Sequence, residues 1–136
     1  MDQTLLILGC LIVVVMGSVH ALWTLFTDKF EPREPELLAR MKQISPKLTR
    51  RLTMWDAWVG FNLSHSLGVI LFGLFYIVLA LENYAYLRSS VVLNILLVAV
   101  PLVFLALALK YWFYAPRNGI ILATALIILS LLLRTA

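Results

Sequence analysis

The stretch QTLLILGCLIVVVMGSVHALWTLFT, residues 3–27, runs for 25 residues without a charged side chain. A helix needs about 20 apolar residues to cross the hydrocarbon of a bilayer, so this segment already asks for lipid as its solvent. Two more charge-free windows, 57–81 and 89–109, hold 25 and 21 residues. A fourth, 118–133, has 16 and reaches span length by recruiting a neighbour or two. Nothing alternates with period two, which excludes a closed β-barrel. The expected architecture is an all-α integral membrane four-helix bundle forming a single domain over residues 1–136, with spans at about 4–26, 57–81, 89–110 and 118–134.

Composition agrees. The chain is 62% hydrophobic and 13% charged, about half the charged share of an ordinary soluble domain. A soluble protein of 136 residues could not hide that much apolar surface in one core. The net charge of +4 is clustered rather than spread over a folded face, so no nucleic-acid partner is expected. Cys10 is the only cysteine, which leaves no disulfide framework and no thiolate metal site.

Val19-His20-Ala21 looks like a small-residue cleavage site, and Leu8-Gly9-Cys10 like a lipoprotein box. Yet Asp2 is the only charge before the apolar run, and a signal peptide needs a basic start. The first span is expected to be retained.

Orientation follows from the basic residues. The 28–56 loop carries Lys29, Arg33, Arg40, Lys42, Lys47, Arg50 and Arg51, and the turn between spans three and four adds Lys110 and Arg117. The opposite side has only Arg88 and Arg134. The positive-inside rule then puts the loop in the cytoplasm and both termini outside, in a plasma (inner) membrane. Trp23, Phe26, Trp55, Trp58, Tyr111, Trp112 and Tyr114 mark the inner boundary, and Tyr84 and Tyr86 the outer one.

Within the loop, Pro35 suits a first helical turn, and Leu37, Leu38, Met41 and Ile44 share a face. This predicts a short interfacial helix at about 35–44, its basic residues toward anionic headgroups. Ser45-Pro46 breaks it, with Ser45 placed to cap a continuation through Leu48, Leu52 and Trp55 into span two. Such a segment serves equally as a lid over the bundle's end or as a docking surface.

The chain's most polar intramembrane stretch is GFNLSHSLG, residues 60–68. Spans one and two are antiparallel. His20 lies six or seven residues before span one leaves the membrane, and His65 nine after Asp56, so they sit roughly 10 and 14 Å below the inner boundary. These are the only histidines. Gly17 lies one turn from His20 and Gly68 one turn from His65, on the deeper side of each, leaving room for close backbone contact or a small cavity. The candidate ligand-binding set is His20, His65, Asn62 and Ser66 as polar handles, Trp23, Trp58 and Phe61 as walls, Gly17 and Gly68 as spacers, and Asp56 as a carboxylate able to orient a histidine.

Three classes of function are weighed on that set. In the first, Gly60, Ser64 and Gly68 form a small-xxx-small ridge and the polar groups bond across helices, which is packing alone. In the second, intramembrane ionisable groups mark a site. The site would take an apolar ligand or substrate, or, through His20 and His65, haem iron or another metal. The third, transport, lacks the deep carboxylate of small four-span exporters: Asp28, Asp56 and Glu82 all lie near boundaries. Asn94 is read as an interhelical hydrogen bond and Pro101 as a kink.

With MGSVHALWTLF at 16–26 and TMWDAWVGFNLSHSLGVILFG at 53–73 in view, the chain resembles an uncharacterised family of small bacterial four-span membrane proteins. The likeness covers most of the chain, and its signature positions here are Gly17, His20, Trp23, Trp55, Asn62, His65, Ser66 and Gly68. It implies the fold and no activity. A weaker resemblance is to the four-span sterol-isomerase and sigma-2-receptor group, which also has a His in span one before an LF-x-D stretch, here Leu25, Phe26, Thr27 and Asp28. This chain departs from that group by lacking paired acids within the bundle.

The sequence therefore leads to a small inner-membrane protein expected to bind an apolar ligand or cofactor in a polar inner-leaflet pocket between spans one and two. The alternative is an accessory subunit of a membrane complex, or a homodimer, whose polar cluster is helix packing. A haem-binding electron carrier or small transporter is a further alternative.

Overall fold

A computed structural model describes residues 1–135, Thr135 by its backbone alone. The described residues are helical or in turns, with no strand. Six helices follow one another: α1 (Asp2–Phe26), α2 (Pro35–Met41), α3 (Met54–Glu82), α4 (Tyr84–Ser89), α5 (Val91–Tyr111) and α6 (Tyr114–Thr135). Four of them, α1, α3, α5 and α6, are long and apolar enough to cross a membrane. At 1.5 Å per residue the shortest, α5, reaches about 32 Å, against a hydrocarbon thickness of about 30 Å. The chain is a multi-pass membrane protein by this measure, with a short helix in its first loop.

Local chemistry sets the helix ends. The second membrane-length helix is not entered from Ser45. Residues 42–53 form turns instead, because Pro46 disfavours helical backbone at Ser45 and the Ile44 carbonyl is taken by the Met54 amide at 2.8 Å. The helix starts at a reciprocal capping box. The Thr53 hydroxyl accepts from the Asp56 amide at 3.2 Å, while the Asp56 carboxylate accepts from the Thr53 amide at 2.8 Å and its hydroxyl at 2.7 Å. The interfacial helix stops at Met41, short of Ile44. None of its residues is buried; Leu37 and Ile44 are about half exposed, while Leu38 and Met41 are partly covered.

The turn after α3 holds a helix the sequence does not announce, α4, capped by the Asn83 side chain, which accepts from the Tyr86 amide. Ser90 caps α5 in the same way. The fourth membrane-length helix gains its length at its start, taking in Tyr114–Arg117 ahead of the charge-free window.

Two compact units divide the chain: residues 1–16 with 69–136, and residues 17–68. The first is a four-helix bundle. Leu6, Cys10, Tyr76, Ala80, Leu87, Leu97 and Ile127 make one fully buried cluster, and Val13, Ala108, Ile120 and Ala123 a second. Glycines permit its closest approaches. A Cβ added at Gly73 would lie 2.8 Å from the Cys10 carbonyl oxygen, and one at Gly9 would lie 3.0 Å from that of Ala123. Between lipid-soluble helices packing has to supply what the hydrophobic effect does not, which favours such small-residue contacts.

The same unit contains a polar network built round a charge. The Arg134 side chain is only 6% exposed. Its Nε donates to the Tyr84 hydroxyl at 3.0 Å, and its Nη1 to Asn94 Oδ1 at 2.9 Å. Tyr84 in turn donates to the Asp2 carboxylate at 2.6 Å. Burial, and after it the bond to Asp2, holds the Tyr84 phenol above its ordinary pKa, so it stays a donor. Asn94 also donates to the carbonyls of Leu87, Arg88 and Ser90, closing the α4–α5 turn. One guanidinium thus ties together α1, α4, α5 and α6. Asn94 is expected from sequence to bond between helices; its partner and its three carbonyls are the structure's contribution.

Candidate functional site

The unit of residues 17–68 holds the end of α1, the first loop with α2, and the start of α3. Here the two imidazoles meet. The rings of His20 and His65 lie edge to face with centroids 5.6 Å apart. His20 also packs at 4.4 Å against Phe30, and His65 stacks at 6.5 Å on Phe61.

Asn62 orients His20. Its amide nitrogen lies 2.8 Å from the Trp58 carbonyl, one turn back in α3. A carbonyl only accepts, so the other amide atom, 2.9 Å from His20 Nε2, is the oxygen. His20 Nε2 must then carry a hydrogen and donate, which leaves Nδ1 of the neutral ring with the lone pair. The Trp58 indole donates to the Phe30 carbonyl at 3.1 Å, fixing the loop residue that covers His20. A continuous chain results: Phe30 backbone, Trp58, Asn62, His20, His65.

Ser66 lies one helical turn beyond Asn62 on the same face of α3. It is 1% exposed, and its hydroxyl oxygen has no hydrogen-bond partner. A serine inside a helix ordinarily bonds back to the carbonyl four residues earlier, as Thr24 does to His20 at 2.8 Å. Buried polar groups are rarely left without a partner, and this hydroxyl, with Thr124 Oγ1 and Arg134 Nη2, is one of the unsatisfied ones among the described residues.

The other expected site residues are placed differently. Trp23 is more than one-third exposed, with the Lys29 ammonium 5.1 Å from its ring. Gly17 is buried, but Gly68 is exposed and an added Cβ there would meet nothing within 4 Å. Gly68 therefore makes no close backbone contact. Gly60 and Ser64 are likewise exposed, so no helix packs on that ridge. The Asp56 carboxylate is taken up by Thr53 in the capping box.

No three His, Cys, Asp or Glu side chains gather as a metal site among the described residues. A bis-imidazole haem needs a lone pair from each ring aimed at one iron. His20 Nε2 donates to Asn62 instead, so only Nδ1 of that ring could ligate.

No family model, curated protein or solved structure matches this chain.

Two contributors escape the sequence. Phe30 is one, signalled only as a lone apolar residue in the charged run Asp28-Lys29-Phe30-Glu31. The Arg134 network is the other. Asp2 and Arg134, opposite charges at the first end of α1 and the last end of α6, are brought to one level by an even number of spans. That they share a tyrosine is a tertiary fact.

Proposed function

We propose that this multi-pass protein lies in the plasma (inner) membrane, with the 28–56 loop in the cytoplasm, and binds a lipid-soluble small molecule at the His20–His65 cluster. The ligand class that fits is an amphiphile with a hydroxyl or similar donor-acceptor head on an apolar body. His20 Nδ1 offers an acceptor, the Ser66 hydroxyl a donor in need of a partner, and Phe30, Phe61 and Trp58 an aromatic surround. The observation that carries this reading is the orphaned Ser66 hydroxyl one turn from Asn62. The resemblance to small bacterial four-span proteins implies a four-span fold and adds nothing on the ligand.

Lipid extracts of the purified protein, compared by mass spectrometry with extracts of its membrane, test it. Wild type should carry one enriched small molecule that His20→Ala and Ser66→Ala lose. An extract matching the bulk membrane in every variant defeats the reading.

A second reading is favoured by the saturation of Asn62, whose two polar atoms are both used inside the protein. On this reading the cluster only fastens the loop and helices of an accessory subunit or homodimer. Ser66→Ala should then leave stability unchanged or raised by about 1 kcal/mol, since it removes an unpaired buried group. Gentle extraction should also bring down a stoichiometric partner. Topology is tested separately. A cysteine at Thr49 should react with an impermeant reagent only from the cytoplasmic side, and one at Asn83 only from the outside.

A further inference from the structure

We propose that Arg88 and the adjoining face of α5 hold one anionic phospholipid. This concerns a different part of the chain from the histidine cluster and requires only that α5 cross a bilayer.

A groove of about 560 Å³ has Arg88 and Ser89 at its head, and Val91, Ile95, Val98 and Leu102 along its length. Those four positions recur every three or four residues and so share one face of α5. From Val91 to Leu102 the helix rises about 16 Å, the depth of one leaflet's hydrocarbon. A second hollow of about 450 Å³, lined by Tyr84, Ala85, Arg88 and Ser89, meets the first at Arg88 and Ser89. Two depressions thus converge on one exposed guanidinium at the level where α5 begins.

The charges indicate what fills them. Arg134 has the Asp2 carboxylate 4.0 Å away, but no ion pair among the described residues uses Arg88. Its Nη2 donates to a neutral acceptor, the Arg134 carbonyl, at 3.3 Å, and its guanidinium stands 6.0 Å from the Tyr84 ring. These contacts aim the group while leaving most of its five N–H donors for a ligand. A guanidinium suits phosphate oxygens, which it can engage bidentately. Asn94 lines the same groove, but its amide is consumed by Arg134 and the turn carbonyls. The head of the groove is therefore cationic, and its body accepts an acyl chain.

The test is native mass spectrometry of the full chain released from nanodiscs of equimolar phosphatidylglycerol and phosphatidylcholine. Wild type should retain phosphatidylglycerol over phosphatidylcholine by about fivefold, the preference one basic side chain supplies at a membrane surface. Arg88→Gln should bring the ratio to that of the bulk. Ile95→Trp, which fills the groove at an exposed position and leaves Arg88 intact, should do the same. Arg51→Gln, in the first loop, should leave the ratio unchanged. A wild-type ratio equal to the bulk overturns the proposal, as does an Arg88→Gln variant with the wild-type ratio. So does an Ile95→Trp variant that keeps the preference, since the charge would then attract any phosphate without the groove.

Discussion

The cluster around His20 and the network around Arg134 both place polar groups in helices of membrane length, and they bond them by different means. The first uses neutral groups, two of its four bonds run one turn along a single helix, and it leaves the Ser66 hydroxyl unpaired. The second is built on a nearly fully buried cation that takes oxygen partners from three other helices, with its Nη2 left without a hydrogen bond. Neutral hydrogen bonds between membrane helices contribute little each, because the separated helices find other partners. A buried guanidinium has no such fallback, so losing any of its partners is costly. The difference suggests a division of labour, with the charged network fastening the bundle and the neutral cluster left adaptable.

Removing the charge should break that contrast most visibly. Arg134→Ala strands Tyr84, Asn94 and Asp2 and should cost about 3 kcal/mol, the loss of two charge-assisted bonds and the packing of the side chain. Reversible unfolding in mixed detergent micelles reads it, and a loss similar to that of a surface substitution would mean the network is incidental. Gly73→Ala should come next, at about 2 kcal/mol, because the new Cβ meets the Cys10 carbonyl oxygen, which cannot rotate away. Its counterpart Gly68→Ala, in open space, should lie within about 0.5 kcal/mol of wild type. Equal effects at the two glycines would show that the close approach at Gly73 is not what limits packing. The smallest effect belongs to the neutral pair. A double-mutant cycle of His20→Ala and Asn62→Ala should give a coupling of about 0.6 kcal/mol. A coupling as large as the Arg134 loss would erase the distinction between the two regions.

Several features were legible in the residues because each depends on one segment at a time. Charge-free length located α1, α3 and α5, and even α6, whose window was short, needed only the aromatic and prolyl residues before it. His20 and His65 could be assigned a common depth by counting from the helix ends. The small residues were harder. GxxxS and SxxxG spacing points to Gly60, Ser64 and Gly68, yet the backbone contacts that need a missing side chain are at Gly9 and Gly73. Spacing identifies a face as narrow, but only the neighbouring helix decides whether that narrowness is used. The roles of Phe30 and Tyr84 are illegible for a related reason, since Phe30 packs on His20 only after the chain turns out of α1, and Tyr84 bonds to Asp2, 82 positions away.

Read along one segment at a time, the residues establish that this chain suits lipid, how many times it can cross, and that its histidines lie at a similar depth. Those properties are sums over a single helix: hydropathy, length and rise per residue. It takes the packed fold to bring the imidazoles into contact, to settle which nitrogen of His20 donates, to commit Asp56 to a helix cap, and to bury Arg134 among three other helices. These depend on the rotation of each helix about its own axis. That rotation is set by close packing against several partners at once, and no single segment encodes it.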